Sequence, residues 1–117
     1  MATKDLTRAL SSPKFAYFYA KDVINGPWPL GEALIAQHAG CAYCYARDVI
    51  KGRFPEGEAV IAQNAGGAYL YAEYVIRDRW PLGEAAIAQD PYWASVYYKL
   101  FKDQFTEREK VLWLLKI

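Results

Sequence analysis

The residues in this chain best suited to chemistry are His38, Cys41 and Cys44, spaced His-x-x-Cys-x-x-Cys, and the three glutamates Glu32, Glu58 and Glu84. A cysteine pair at a helix start can hold a reactive thiolate, and with a histidine it offers three zinc ligands. The spacing argues against zinc, because the six residues from His38 to Cys44 rise ~9 Å along a helix. Cys41 stands in the repeat register of Phe15 and Trp93, and Cys44 in that of Phe18, Leu70 and Val96. Both cysteines are therefore read as small apolar residues rather than as redox or metal groups. Paired carboxylates ~6.5–9.5 Å apart suit inverting glycoside hydrolysis. An acid and its base need unlike surroundings, however, and these glutamates recur in identical ones. They are read instead as complements to a helix dipole, with Arg53 or Arg79 as partners. His38 has no nucleophile pattern about it, and no glycine-rich phosphate loop occurs. The expectation is a non-enzymatic protein with no catalytic residue, no metal and no cofactor.

The elements that would position these side chains come in copies. Tyr-x-Tyr-Ala recurs at Tyr17, Tyr43 and Tyr69, and Gly-Glu-Ala at Gly31, Gly57 and Gly83, both in steps of 26 residues. A fixed period of this size marks a stack of one supersecondary unit. The units are 12–37, 38–63, 64–89 and 90–115, preceded by an N-terminal cap, 1–11. The second and third agree at 16 of 26 positions, while the fourth keeps only its first half. The expected fold is all-α: a single domain, 1–117, built as a right-handed α-solenoid of four two-helix repeats with terminal capping helices.

Within a unit, Ser12, His38, Asn64 and Asp90 sit at the N-cap position, His38 being the weak one. Pro13 and Pro91 follow at the first helical turn. The first helix, A, spans about 13–25, 39–51, 65–77 and 91–103. In unit two, Cys41, Ala42, Tyr45, Ala46, Val49 and Ile50 form its apolar arc, which leaves Arg47, Asp48 and Lys51 toward water. Gly26, Gly52 and Asp78 are expected at the left-handed stop. Trp28, Phe54 and Trp80, each before a proline, should wedge the corner between helices. A shorter helix, B, follows at about 29–37, 55–63 and 81–89, with Ile35, Ile61 and Ile87 as anchors. At the ends, Thr3 should cap a half-unit lid with Leu6, Ala9 and Leu10 inward. Thr106 with Glu109 makes a capping box before the greasy run Val111, Leu112, Trp113 and Leu115.

The pattern Tyr-Ala-x-Asp-Val-Ile-x-Gly-Arg-Trp/Phe-Pro-x-Gly-Glu-x-x-Ile-Ala, carried here by Tyr45 to Ile50, Gly52 to Pro55, Gly57, Glu58, Ile61 and Ala62, resembles tandem repeats in uncharacterised proteins of bacteriophages and large DNA viruses. The resemblance covers about residues 15–100. It implies a viral or mobile-element source and an all-α repeat fold, and it brings no catalytic residues. Departures are Pro27 for Arg53, Asp78 for Gly52, Tyr74 for Asp48, and most of unit four after Tyr98.

Composition narrows the partner. A hydrophobic fraction of 54% with 16% aromatics excludes a disordered chain, and a net charge of +1 without a basic run gives nucleic acid no footprint. No apolar run reaches the ~18 residues of a membrane span, and no signal peptide opens the chain. Two cysteines three apart make no disulfide framework, so the expected compartment is the cytoplasm, that of the host cell if the source is viral. The series Tyr17, Tyr43 and Tyr69 lies at the edge of the arc and is expected to be exposed. Where helix A turns outward, Tyr74 and Leu100 replace acids, with Tyr92, Trp93 and Tyr98 close by. Together these residues form the candidate binding surface. The expected function is a protein-interaction module, a phage accessory protein that binds and modulates, even inhibits, a host protein. The alternative is a small-ligand or sequestering protein with a tyrosine-lined groove. The greasy terminal helices also offer an end-to-end contact for a homodimer.

Overall fold

A computed structural model of the chain describes residues 2–117, with side chains from Leu6 onward. The expected Thr3 cap and the polar Lys4 and Asp5 thus lie outside the described side chains. Among the described residues the fold is all-α, with nine helices and no strand. Helix α1 is Ala2–Ala9, α2 begins at Pro13–Phe18, and α3 is Pro29–Ile35. Then come α4 from Ala39–Tyr45, α5 Pro55–Ile61, α6 from Ala65–Tyr71, α7 Pro81–Ala88, α8 Pro91–Phe101 and α9 Glu107–Leu114. Each helix packs on its sequence neighbour, α2, α4, α6 and α8 pack in succession one unit apart, and α3 packs on α5, so the helices stack as a solenoid. The rod measures 58 × 20 × 18 Å. Its radius of gyration is 16.3 Å, against ~13 Å for a compact domain of this length.

The start signals act as their chemistry requires. Phe15 N–H donates to Ser12 Oγ, Gly67 N–H to Asn64 Oδ1, and the Tyr92 and Trp93 N–H groups to Asp90 Oδ1. His38 also caps, with Cys41 N–H donating to Nδ1 at 3.1 Å. Thr106 and Glu109 close the capping box in both directions. Trp28, Phe54 and Trp80 are buried in the corners, their rings 4.7, 5.0 and 4.7 Å from those of Tyr19, Tyr45 and Tyr71.

Helix A ends differently from its expected form. After Phe18, Tyr45 and Tyr71 the backbone widens to a π-helix over Tyr19–Ile24, Ala46–Ile50 and Ala72–Ile76. The left-handed stop falls one residue early, on Asn25, Lys51 and Arg77 with φ of 62°, 60° and 62°, and no glycine has positive φ. In the widened turn the carbonyl of Ala20, Ala46 or Ala72 accepts from the stop residue and again from Gly26, Gly52 or Asp78. The same widening defeats a strict 3.6-residue projection. Ala42, Tyr45 and Ala46 are buried as expected, yet Val49 and Ile50 are only partly covered, and Asp48 turns inward.

Gly57 and Gly83 are contact points rather than punctuation. They sit in the first turn of helix B, where it meets helix A of the same unit. A Cβ on Gly57 would lie 2.8 Å from Ala42 Cβ and 2.8 Å from the Phe54 ring. One on Gly83 would lie 2.8 Å from Ala68 Cβ and 2.7 Å from the Trp80 ring. Only glycine permits that approach. At the C-terminal end, of the greasy run only Trp113 turns inward, joined by Phe101 and Phe105. Val111, Leu112, Leu114 and Leu115 face outward because α9 has no further unit over it.

Candidate functional site

Tyr45, Tyr71 and Tyr97 are fully buried, and each hydroxyl spans a unit boundary. Tyr45 donates to Glu32 Oε2 at 2.7 Å and accepts from the Trp28 backbone N–H at 2.8 Å. Tyr71 does the same with Glu58 (2.7 Å) and Phe54 N–H (2.8 Å), and Tyr97 with Glu84 (2.6 Å) and Trp80 N–H (2.9 Å). The N–H just before each Pro-initiated helix would otherwise be buried without a partner, so the tyrosine satisfies a donor and an acceptor together. Burial first, and the glutamate hydrogen bond second, push all three phenols well above their usual range. The glutamates are thus inter-unit acceptors, and two carry the expected arginines. Arg53 grips Glu58 through Nε and Nη2 at 2.8 and 2.9 Å, and chiefly that contact holds the Glu58 carboxyl below the ordinary range. Arg79 grips Glu84 and also Glu109 of α9, with its guanidinium 4.2 Å over the Phe105 ring.

The Tyr17 series is placed otherwise than expected. Tyr17 and Tyr43 are buried and Tyr69 is half-buried. Tyr17 donates to Asp48 Oδ2 at 2.6 Å, Arg47 Nη1 donates to the Tyr43 hydroxyl at 3.4 Å, and Tyr69 donates to Glu73. For Tyr17 the π turn is the physical reason, because it brings Asp48 within reach of the phenol of the preceding unit. Arg47 holds Asp48 through Nε and Nη2 at 2.7 and 2.8 Å, and that pairing, ahead of the Tyr17 bond, holds its carboxyl near 2.

Tyr74, Leu100 and Tyr92 are exposed by 52, 47 and 65%. Trp93 lies between Tyr69 and Tyr92, ring centroids 5.4 and 5.0 Å away, and rests against Gly66. Tyr69, Val96, Lys99 and Leu100 line a shallow depression of about 300 Å³. Tyr98 leaves this group and packs edge-on against Phe105 under the C-terminal cap. The structure therefore brings together Tyr69, Tyr92 and Trp93, with Leu100 beside Tyr69, and turns Tyr17, Tyr43 and Tyr98 to packing.

Sequence reasoning missed a second feature beside Tyr74. A cleft of about 530 Å³ between the ends of α4 and α6 is lined by Arg47, Lys51, Gly52, Tyr74, Val75 and Arg77. Two cations one unit step apart, Lys51 and Arg77, were visible in the sequence, but only the early left-handed stop makes them flank the same opening.

Cys41 and Cys44 are half-buried, and desolvation raises both thiols above their ordinary value, opposite to an activated nucleophile. Among the described residues no three His, Cys, Asp or Glu side chains gather as a metal set, and no helix is long and apolar enough to cross a membrane. No family model, curated protein or solved structure matches this chain.

Proposed function

We propose that this protein is a non-enzymatic interaction module whose working surface is the aromatic and apolar edge at Tyr74, Tyr92, Trp93 and Leu100. The carrying observation is the exposure of Tyr74 and Leu100 at the repeat position where the earlier units hold Asp22 and Asp48. Exposed apolar side chains also occur elsewhere, at Leu30 and Leu82 for example, but here they accompany aromatic residues, which on a rigid rod make low-entropy anchors for a partner. The resemblance to phage and large-virus repeats supplies the context: an accessory protein that binds a host protein and modulates or inhibits it, in the host cytoplasm. The alternative, a ligand groove lined by Tyr17, Tyr43 and Tyr69, would need hydroxyls that already bind Asp48, Arg47 and Glu73.

The test is capture from a bacterial lysate on the tagged protein and on a Leu100→Ser/Tyr92→Ser variant of unchanged melting temperature. A stoichiometric partner held by the first and lost by the second supports the reading. No partner, or equal retention by both, contradicts it.

A further inference from the structure

The cleft between the ends of α4 and α6 carries a charge imbalance at close quarters. Three of its six lining residues, Arg47, Lys51 and Arg77, are cationic, and none is acidic. Arg47 is neutralised by its paired contact with Asp48. Among the described residues, no ion pair or side-chain hydrogen bond involves Lys51 or Arg77. Both stand at φ near +60°, where glycine would be cheaper, although Gly52 lies directly beside Lys51. Unit one has the same left-handed stop at Asn25, so the backbone form belongs to the repeat; what sets this opening apart is that the two stops flanking it both carry cations. Tyr74 stands exposed in the lining of the cleft.

We propose that this cleft seats an acidic side chain of a polypeptide partner, its carboxylate between Lys51 and Arg77 and its neighbouring apolar residue on Tyr74. A planar guanidinium and a flexible ammonium on one opening suit a single carboxylate. A continuous phosphate backbone fits less well, since Asp78 follows Arg77 directly and the cations lie one unit apart with no basic run between them; the adjoining cleft of about 350 Å³ adds Lys21 but also Asp48. The inference rests on the interaction-module reading and names the partner chemistry for it.

The experiment titrates hexaglutamate into isotope-labelled protein at low salt and follows the backbone amides. The expected result is saturable shifts confined to Lys51, Gly52, Tyr74, Val75 and Arg77. A Lys51→Gly/Arg77→Gly variant should bind at least tenfold more weakly while melting higher than the parent, because glycine relieves both left-handed positions. This variant removes the charges without endangering the fold. Absent or scattered shifts, undiminished affinity in the double-glycine variant, or hexathymidylate seated on the same residues as tightly as the peptide would overturn the proposal. If a partner is captured through Leu100 and Tyr92 while hexaglutamate leaves the cleft untouched, this inference fails alone. If hexaglutamate seats but no partner is captured, the fault lies with the module reading.

Discussion

One phenol at each unit boundary holds a carboxylate of the preceding helix B and the N–H that precedes that helix. Removing the Tyr71 hydroxyl leaves the Phe54 N–H without its partner and Glu58 with Arg53 alone, so Tyr71→Phe should cost roughly 2–3 kcal/mol in chemical denaturation. A loss under ~0.5 kcal/mol would show that water replaces the phenol. Acid should act through Asp48 together with Glu58 and Glu109, whose carboxyls are also held below the ordinary range by their arginines. The folded pKa of Asp48, about 2, lies below the ordinary 3.8, so its stabilisation is complete above the ordinary value and disappears as pH falls toward 2. Asp48→Asn should therefore flatten part of the acid limb of the stability profile while lowering stability at neutral pH. The boundary phenols act at the other end. Their raised values mean that stability is fully present below the usual phenol range and falls as pH rises above it. Part of this was written in the sequence in a form easily overlooked. The tyrosines run 19, 45, 71 and 97 but the glutamates only 32, 58 and 84, and Leu6 stands one step earlier. A column that outlasts its partner by one unit is the signature of a contact between units.

At the level of helices, beginnings were legible and endings were not. A cap needs one side chain at one position, so Ser12, His38, Asn64, Asp90 and Thr106 could be read individually. A π turn leaves no residue signature of that kind, and its effects on Asp48 and Lys51 were correspondingly hidden. The caps give a modest prediction: His38→Asn should copy the Asn64 cap and add ~0.5–1 kcal/mol, read as a higher denaturation midpoint. The close approach of helices A and B gives a larger one. Gly83→Ala puts a methyl 2.8 Å from Ala68 Cβ and 2.7 Å from the Trp80 ring, and should cost about 1–3 kcal/mol. Neutrality of that change would mean that the two helices can separate freely.

The whole molecule is a strip in which each unit is covered by the next, and its C-terminal end is fastened by Arg79 across Glu84, Glu109 and Phe105. In such an array fraying starts where coverage stops. Arg79→Met should speed amide exchange in α9 well before α5, whereas uniform acceleration would indicate one indivisible core. Repeat number, unit length and helix order could be read from the 26-residue step, because periodic burial needs periodic sequence. Of the side chains that serve no such need, Tyr74 and Leu100 stood out in the sequence by replacing acids, whereas Lys51 and Arg77 had to be placed in space before they could be weighed. The central claim is that neighbour coverage alone specifies each unit. It is tested most directly by deleting residues 38–63, which joins unit one to unit three in register, beside an out-of-register deletion of half that length. The account predicts that the in-register protein unfolds cooperatively from a rod one helix spacing shorter, with Tyr71 seated on Glu32 and the Trp28 N–H, while the shorter deletion fails to fold. Equal damage from both deletions would contradict it.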